Sequence, residues 1–335
     1  MELRSTKFIK NSNDFEHQCT IYKDNNVQVE IVKEIKTEKL FVKKTFYCND
    51  NESISYFFNE VQTLENAKID GFPFLKFYGY NPNEDGESFL LTEYLENGSL
   101  DELIEDKFEK FKNADTIKMK IFYGVAFGLQ YLHNRKNIII HRDIKPGNIF
   151  LDKSYDPYIG DFGFARVIQE EIKMTGNIGT IFYMAPEIFD KTETEPDVLI
   201  DTYSYAITVL QTITYSLSIR INGEIVSIFD INDDDQFKQL IKDGERYVEI
   251  DNVPTDFKQF IIDCWDEDPK KRWPMAKIIK SMREHKLYLK DCNSQEFDDY
   301  VNRLDEAYIH HRLKEEEEEE EEEGQQEEDT QEFNF

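Results

Sequence analysis

The residues with the clearest chemical potential lie in a short polar segment near the middle of the chain. Residues 141–148 read HRDIKPGN, and a DFG tripeptide begins thirteen residues after Asn148, at Asp161. Asp143 can take up the proton of an attacking hydroxyl, and Lys145, two residues further on, can reach an anionic phosphate. Asn148 and Asp161 offer the oxygen ligands that Mg²⁺ prefers. This combination is typical of phosphoryl transfer, which depends on positioning and charge neutralisation more than on covalent chemistry.

These segments, followed by an APE tripeptide at residues 185–187, resemble the signature of the eukaryotic-type protein kinases. A lone DFG would mean little, but three motifs in the family's order and spacing are a specific signal. The resemblance implies that the γ-phosphate of ATP is transferred to a hydroxyl of a protein substrate. It also implies that Asn148 and Asp161 hold Mg²⁺.

The resemblance also indicates the class of kinase. Lys145, at its position in the catalytic segment, is typical of serine/threonine kinases rather than tyrosine kinases. Thr180, shortly before the APE motif, is then expected to support Asp143 and Lys145 in catalysis. The Cys-Trp pair at 264–265 and the run ENGSL at 96–100 most resemble the tyrosine-kinase-like branch of the serine/threonine kinases.

In the N-terminal part, the resemblance implies a pair of residues that would hold the nucleotide phosphates. Residues 40–43 read LFVK, where the family has a V-A-I-K strand, so Lys43 is expected to bind the α- and β-phosphates. Glu60, on the helix that follows, is its expected ion-pair partner. Phe41 replaces the usual small alanine and is expected to crowd the adenine pocket. Taken alone, Lys43 would be better explained as an ordinary edge-strand lysine. For Glu60 the alternative is a place on a solvated helix face.

Residues 91–98, LTEYLENG, resemble the segment that joins the two lobes of a kinase. The resemblance makes Thr92 the gatekeeper of the adenine pocket. The main chain of Glu93 and Leu95 is expected to bond adenine, and Phe150 is assigned to the same nucleotide pocket.

Two further matches are expected to be structural. Asp201 corresponds to the buried aspartate that braces the catalytic segment of a kinase. Arg272 corresponds to the ion-pair partner of Glu187 in the APE motif.

The chain departs from the family where a glycine-rich loop is expected. Counting back from Lys43 places the loop at residues 22–29, with Tyr22, Asp24 and Val27 at the three glycine positions. Glycine lets the backbone approach phosphates closely, whereas here side chains intrude, and one of them is anionic. The alternative to an active enzyme is therefore a pseudokinase, a scaffold or nucleotide-binding module. The intact motif residues favour the active enzyme.

The pattern of apolar residues predicts an α+β chain with two lobes. Alternation over 20–47 and the runs at Phe74–Tyr80 and Phe89–Tyr94 predict strands, with a helix at 53–68 between them. From about residue 98 the spacing becomes helical, and residues 198–213 are apolar nearly all round, as in a buried central helix. Strands followed by helices favour a small β-rich lobe and a large helical lobe, as in the protein kinase fold.

These patterns divide the chain into four parts. Residues 1–13 form an N-terminal extension, and residues 14–285 form the kinase domain, whose lobes meet near residues 95 and 96. Residues 286–313 carry a helical stripe as a C-terminal extension. The unbroken run of glutamates that follows cannot bury apolar surface and repels itself, so residues 314–335 are predicted to be disordered.

The net charge and the cysteine content limit which binding partners and which cellular compartment are expected. The formal net charge is −29, of which residues 315–335 supply 13 negative charges and no Lys or Arg. This acidity disfavours binding to nucleic acid or to an anionic membrane, and favours basic protein partners at the tail. Four dispersed cysteines without C-x-x-C spacing, and no apolar run of signal-peptide or membrane-spanning length, predict a cytoplasmic protein.

Overall fold

The computed structural model of the protein describes residues 9–47, 51–66, 73–82, 87–106, 111, 113–167, 181–189 and 197–332. At 51–53, 66, 106, 166–167 and 314–332 it describes the backbone alone. A small lobe made mostly of strands is followed by a larger helical lobe, which confirms the predicted α+β class.

The N-terminal lobe is a five-stranded antiparallel sheet in the order β1-β2-β3-β5-β4, with one long helix packed on it. Its elements are β1 (Phe15–Lys23), β2 (Val27–Glu34), β3 (Leu40–Tyr47), α1 (Asn51–Asn66), β4 (Phe77–Asn81) and β5 (Glu87–Glu93). Helix α1 buries Phe57, Val61 and Leu64, whose spacing places them on one helical face. The predicted strands and helix of this lobe are confirmed to within a few residues.

Successive residues of a strand point to opposite sides of the sheet, and in β2 and β3 both sides carry apolar residues. Ile31 and Val42 are paired across β2 and β3 and face the cleft between the lobes. Their neighbours Val32 and Phe41, also paired, lie on the outer face in a small aromatic cluster. The register of β2 on β3 therefore decides which side chains reach the cleft.

The C-terminal lobe surrounds two buried helices, α3 and α4. Its elements are α2 (Leu100–Asp106), α3 (Asp115–His133), β6 (Ile139–Ile140), β7 (Ile149–Leu151), β8 (Pro157–Ile159), β9 (Arg166–Val167), α4 (Leu199–Thr214), β10 (Ser218–Ile221), β11 (Glu224–Ser227), α5 (Asp234–Lys242), α6 (Thr255–Cys264), α7 (Met275–Arg283) and α8 (Ser294–Glu332). Helix α4 is buried at every residue from Ile200 to Thr212, as predicted for a central helix. Within the described residues, no helix is both long and apolar enough to cross a membrane.

The predicted pairing of Glu187 with Arg272 is present as a two-pronged ion pair. Arg272 Nη1 lies 2.6 Å from Glu187 Oε1, and Nη2 lies 2.8 Å from Oε2. The Arg272 side chain is fully buried and also donates to the carbonyl of Leu199 at the start of α4. The pair therefore ties the APE motif to the core of the lobe.

A hairpin formed by β10 and β11 was not predicted. It turns at Asn222-Gly223, where both residues have positive φ, 52° and 87°. An Asn-Gly pair between two short alternating runs is a strong hairpin signal, so the sequence did carry the information.

The C-terminal extension is the long helix α8. Its first turns bury Phe297, Tyr300, Val301 and Leu304 against the helical lobe. The backbone from residue 314 to residue 332 continues the same helix, which departs from the prediction of a disordered acidic tail over 314–335. Glutamate is a good helix former, and lengthening a helix that packing has already nucleated adds a hydrogen bond for each residue fixed.

Candidate active site

A cleft of about 540 Å³ lies between the sheet and the helical lobe and collects most of the predicted site residues. The predicted residues that line it are Glu60, Thr92, Glu93, Leu95, Asn148, Phe150 and Asp161. Lys44, Val42 and Leu75 also line it, and none of these three was predicted.

An ion-pair triad of one buried and two partly buried side chains lies in the cleft. Lys44 Nζ on β3 donates to both carboxylate oxygens of Glu60 on α1, at 3.1 and 2.9 Å. It also donates to Asp161 Oδ1 at 2.8 Å. One ammonium group thus joins the sheet, helix α1 and the DFG segment.

Burial and charge act against each other in this triad. Burial would lower the pKa of Lys44, but the charges of Asp161 and Glu60 outweigh it, and the pKa is raised. Burial raises the pKa of Glu60 to about 7, against the attraction of Lys44. Burial would also raise the pKa of Asp161, but Lys44 holds it below its usual value. Lys44 and Asp161 are therefore charged at neutral pH, and Glu60 is the member closest to titration.

The prediction that Lys43 pairs with Glu60 is wrong by one residue. In the β2–β3 register Lys43 lies opposite Glu30, and Lys44 lies opposite Val29. Adjacent residues of a strand point to opposite faces, so Lys43 is directed away from the cleft. Its Nζ lies 3.9 Å from Glu30 Oε2 and 4.9 Å from the centroid of the Phe89 ring.

The same register corrects the expectation that Phe41 crowds the adenine pocket. Phe41 packs on the outer face of the sheet against Phe15 and Tyr78, with ring centroids 6.0 and 4.8 Å away. Val42 occupies the cleft-facing position two residues before Lys44. A moderately small side chain therefore stands where the family has alanine.

The segment between the lobes is held by backbone hydrogen bonds to strand β7. Asn97 N–H donates to the carbonyl of Leu151, and Leu151 N–H donates to the carbonyl of Gly98. Gly98 has a φ of +68°, a conformation that glycine adopts without strain. These bonds fix the lobe connection directly beside Phe150 on the cleft floor.

The catalytic segment forms a compact group around Asp143. Lys145 Nζ lies 2.9 Å from Asp143 Oδ2. Asn148 Nδ2 donates to the same Oδ2 and to the backbone carbonyl of Asp143, each at 2.8 Å. Because the amide nitrogen of Asn148 is bound to Asp143, its amide oxygen is the atom that Asn148 can offer to a cation.

Asp201 braces this segment from helix α4, as predicted. It is fully buried and accepts hydrogen bonds from the backbone N–H groups of His141 and Arg142, at 2.9 and 2.7 Å. The third partner is the ring of His133, at 2.8 Å. Arg142 has a φ of +68°, an unusual conformation for a non-glycine residue. The two hydrogen bonds from backbone N–H groups to Asp201 stabilise that strained backbone just before Asp143.

The DFG segment is anchored by burial of its phenylalanine and by an unpredicted residue, Asn59. Phe162 is fully buried against the rings of Phe74 and His141. Asn59 Nδ2 on α1 donates to the carbonyls of Gly163 and Ala165, at 3.2 and 2.9 Å. Helix α1 therefore holds this segment at Asn59 as well as through Glu60.

The glycine-free loop is a tight turn held by Asp24. The backbone N–H of Asp24 donates to the carbonyl of Val27, and Asp24 Oδ1 accepts from the N–H groups of Asn26 and Val27. Tyr22, which lines the cleft, donates its hydroxyl to Asp24 Oδ2 at 2.7 Å. The hydrogen bonds from Tyr22, Val27 and Asn26 lower the pKa of Asp24, so this exposed carboxylate is ionised at neutral pH.

Thr180, the other residue predicted to act in catalysis, lies outside the described residues.

Comparison with known proteins agrees with this geometry. The family model of the protein kinase domain matches residues 24–284. The chain is 34% identical over 195 residues to a putative serine/threonine-protein kinase/receptor of Acanthamoeba polyphaga mimivirus. That match covers 58% of the chain and 11% of the relative.

Two cellular relatives give similar matches. Serine/threonine-protein kinase VIK of Arabidopsis thaliana is 32% identical over 205 residues, which covers 59% of the chain and 43% of the relative. RGS domain-containing serine/threonine-protein kinase A of Dictyostelium discoideum is 34% identical over 196 residues, covering 58% of the chain and 16% of the relative. The chain thus spans less than half the length of these relatives. The fold, the site and the family match together show that it belongs to the protein kinase domain family, and its named relatives are serine/threonine kinases.

The two adjacent lysines of β3 provide a direct test of the site. We expect Lys44→Met to weaken ATP binding about tenfold or more, because a charge-assisted hydrogen bond contributes about 1.5–3 kcal/mol. Lys43→Met is the matched control, since it removes the same charge one residue away on the other face of the sheet. Calorimetric titration with Mg²⁺-ATP measures both, and thermal melts confirm that both variants fold. Equal weakening by the two substitutions would contradict the assignment of Lys44.

Proposed function

We propose that this chain is a serine/threonine protein kinase that transfers the γ-phosphate of ATP to hydroxyl groups of proteins. The observation that carries the proposal is that two sets of charged residues come together at one cleft. The Lys44 triad joins the sheet, helix α1 and the DFG segment in this cleft. Asn148, which also lines the cleft, holds the Asp143 carboxylate beside the Lys145 ammonium group. Phosphoryl transfer requires this combination of fixed cations and a fixed carboxylate.

We assign the handling of the substrate hydroxyl to Asp143. Its carboxylate is buried, held by Asn148 and braced through the neighbouring backbone by Asp201, so it can orient a hydroxyl without moving. As the hydroxyl oxygen attacks the γ-phosphorus, its proton passes to Asp143. The bond between the γ-phosphorus and the bridging oxygen of the β-phosphate breaks, and ADP leaves. Lys145, 2.9 Å from Asp143, neutralises charge on the transferred group.

The residues present also fit a divalent cation of the magnesium type. The carboxylate of Asp161 and the amide oxygen of Asn148 are hard oxygen donors in the same cleft, as Mg²⁺ requires. A Mg²⁺ ion held there would neutralise negative charge on the phosphates of ATP. Asp161 keeps its negative charge at neutral pH because Lys44 lowers its pKa.

Adenine binding is assigned to the segment between the lobes. The N–H of Glu93 already donates to the carbonyl of Lys76, and the carbonyl of Leu95 already accepts from Gly98. The carbonyl of Glu93 and the N–H of Leu95 are therefore the groups we assign to adenine. Thr92 and Phe150 line the same part of the cleft.

The competing proposal is a pseudokinase, and the loop at Asp24 is the observation in its favour. A turn fixed by side-chain bonds has less freedom to close over phosphates than a glycine-rich loop. The complete set of charged residues below the loop favours the enzyme, since a scaffold has no need of Asp143 and Lys145 at this spacing.

Asp143→Asn tests the enzyme against the scaffold. We expect the wild-type protein with Mg²⁺ and labelled ATP to phosphorylate a basic substrate protein on serine or threonine. The variant should lose this activity while keeping its thermal melt and its ATP affinity, because Asp143 acts on the hydroxyl rather than on the nucleotide. Wild-type turnover by the variant would refute the catalytic role, and an inactive wild type that still binds ATP would favour the pseudokinase.

Substitution of Asp24 separates the charge of the loop from its stiffness. We expect Asp24→Gly to tighten ATP binding about fivefold, since a carboxylate near a polyanion costs about 1 kcal/mol at the surface of a protein. Asp24→Asn is the control, because it removes the charge but keeps an oxygen for the N–H groups of Asn26 and Val27. A gain with Asp24→Gly alone assigns the effect to backbone freedom, and a gain with both assigns it to charge. Weaker binding by Asp24→Gly would show that the rigid turn helps to hold the nucleotide.

We also propose that the acidic end of the chain recruits basic protein partners, and that the protein acts in the cytoplasm. The 13 negative charges of residues 315–335 support the first proposal. The free thiols of Cys19, Cys264 and Cys292 support the second.

Truncation after Leu313 is expected to raise the KM for a basic substrate at low salt, with little effect at high salt, because salt screens exposed charges. An acidic or neutral peptide substrate serves as the control and should be unaffected. Identical KM values for both forms on the basic substrate at low salt would contradict a role for these charges.

A further inference from the structure

The two candidate metal ligands are the two ends of one hairpin. Asn148 directly precedes β7, and Asp161 follows β8 after Gly160. The hairpin is closed at this end by Gly160 N–H, which donates to the carbonyl of Asn148 at 2.9 Å. The relative position of the two ligands therefore depends on how firmly the β7–β8 hairpin is held.

The turn at the far end of this hairpin is closed by Asp152 and tied to the neighbouring helices by Asp156. Asp156 N–H donates to Asp152 Oδ1, which also accepts from Ser154 N–H. The carboxylate of Asp156 is buried between two cations from two different helices. Lys120 Nζ of α3 lies 2.5 Å from Oδ1, and Arg303 Nη2 of α8 donates to Oδ2 at 2.8 Å. A buried carboxylate paired on both oxygens resists displacement, because losing a partner would leave charge uncompensated.

Next to the ion pair of Arg303 and Asp156, helix α8 also packs against β8, the second strand of the hairpin. Tyr300 is nearly fully buried, 5.5 Å from Lys120 Nζ by its ring centroid. Its hydroxyl and Pro157, the first residue of β8, both crowd the Cα of Gly124 on α3. A Cβ at Gly124 would lie 2.2 Å from the Tyr300 hydroxyl and 2.6 Å from Pro157 Cγ. Gly124 thus permits α3, α8 and the hairpin to meet.

Helix α8 lies wholly beyond the residues that match the kinase family model, which end at 284. Its contacts with the hairpin therefore belong to this chain's own extension. Residues 296, 300 and 303 follow one face of the helix at helical spacing, and that face is the one directed at Lys120 and Asp156.

We propose that α8 acts as a clamp on the β7–β8 hairpin, and that Arg303 is a positioning residue for the metal ligands Asn148 and Asp161. The inference rests on the proposed function, because it assigns the structural basis of metal binding in the same site. Arg303 acts through Asp156 and the hairpin, and it touches neither the nucleotide pocket nor the substrate hydroxyl.

The chain offers a matched control for this clamp. Arg283 at the end of α7 also holds α8, through hydrogen bonds of 2.9 and 2.5 Å to Asp305. Like Arg303, it lies over a tyrosine ring, with its guanidinium carbon 5.5 Å from the centroid of Tyr123. Arg283→Ala therefore removes an arginine ion pair and a ring contact at the same helix without touching the hairpin.

The experiment compares Arg303→Ala, Arg303→Lys and Arg283→Ala in the full chain. Hydrogen–deuterium exchange of residues 149–161, in the absence of nucleotide and metal, reports local opening of the hairpin. We expect faster exchange there in Arg303→Ala, near wild-type exchange in Arg283→Ala, and partial recovery in Arg303→Lys. In ATP titrations we expect the Mg²⁺ concentration for half-maximal binding to rise about tenfold in Arg303→Ala alone, as for loss of an outer-shell partner of a metal site.

The outcomes test the clamp proposal independently of whether the protein is an active kinase. Unchanged exchange over 149–161 in Arg303→Ala would overturn the proposal, as would equal changes in Arg303→Ala and Arg283→Ala. Faster exchange with an unchanged Mg²⁺ dependence would overturn the link from the hairpin to the metal ligands. An inactive wild type would refute the proposed function, whereas the exchange and Mg²⁺-binding readouts do not require phosphotransfer.

Discussion

The ion-pair triad of Lys44, Glu60 and Asp161 is the interaction on which the organisation of the cleft depends. Each member belongs to a different element, and each is held where the two lobes meet. The buried carboxylate of Glu60 and the partly buried carboxylate of Asp161 repel each other, so the ammonium group between them is what allows both to stay. The raised pKa of Glu60, about 7, shows that the compensation is incomplete. Any movement of α1 away from the sheet would separate Glu60 from Lys44 and leave charge unpaired in a buried place.

The rest of the helical lobe supports the other half of the site in successive layers. Asp143 is held by Asn148, the backbone before it is held by Asp201, and Asp201 stands on the fully buried helix α4. The ion pair of Glu187 and Arg272 ties the APE segment to the start of that helix. Each layer is a charged group satisfied by well-placed donors, which is the condition under which buried charge stabilises rather than destabilises a fold. The C-terminal helix contacts the hairpin that joins the two candidate metal ligands, through Arg303 and Asp156.

The loop at Asp24 shows how the chain departs from the usual design without losing the architecture beneath it. The turn between β1 and β2 is tight. Its conformation is held by hydrogen bonds to the Asp24 carboxylate, one of them from the Tyr22 hydroxyl, and not by the backbone freedom of glycine. The resulting loop is stiffer and more negative. The positions of Lys44, Asp143 and Asp161 are set by other elements.

The sequence alone indicated the class of fold, the segment around Asp143 and seven of the residues that line the cleft, because these depend on motifs with a fixed order and spacing along the chain. HRDIKPGN and DFG lie at the ends of one hairpin, so their order predicts their proximity. The choice between Lys43 and Lys44 depended on the pairing of β3 with β2. Alternate residues of a strand point to opposite faces of the sheet. An error of one residue in the sequence alignment therefore selected Lys43, which is directed at Glu30, in place of Lys44, which faces the cleft. The contacts of Asn59 with the DFG segment and of Arg303 with Asp156 join residues more than 100 positions apart. No local pattern encodes such pairs, because they arise only when separate helices pack on a common core.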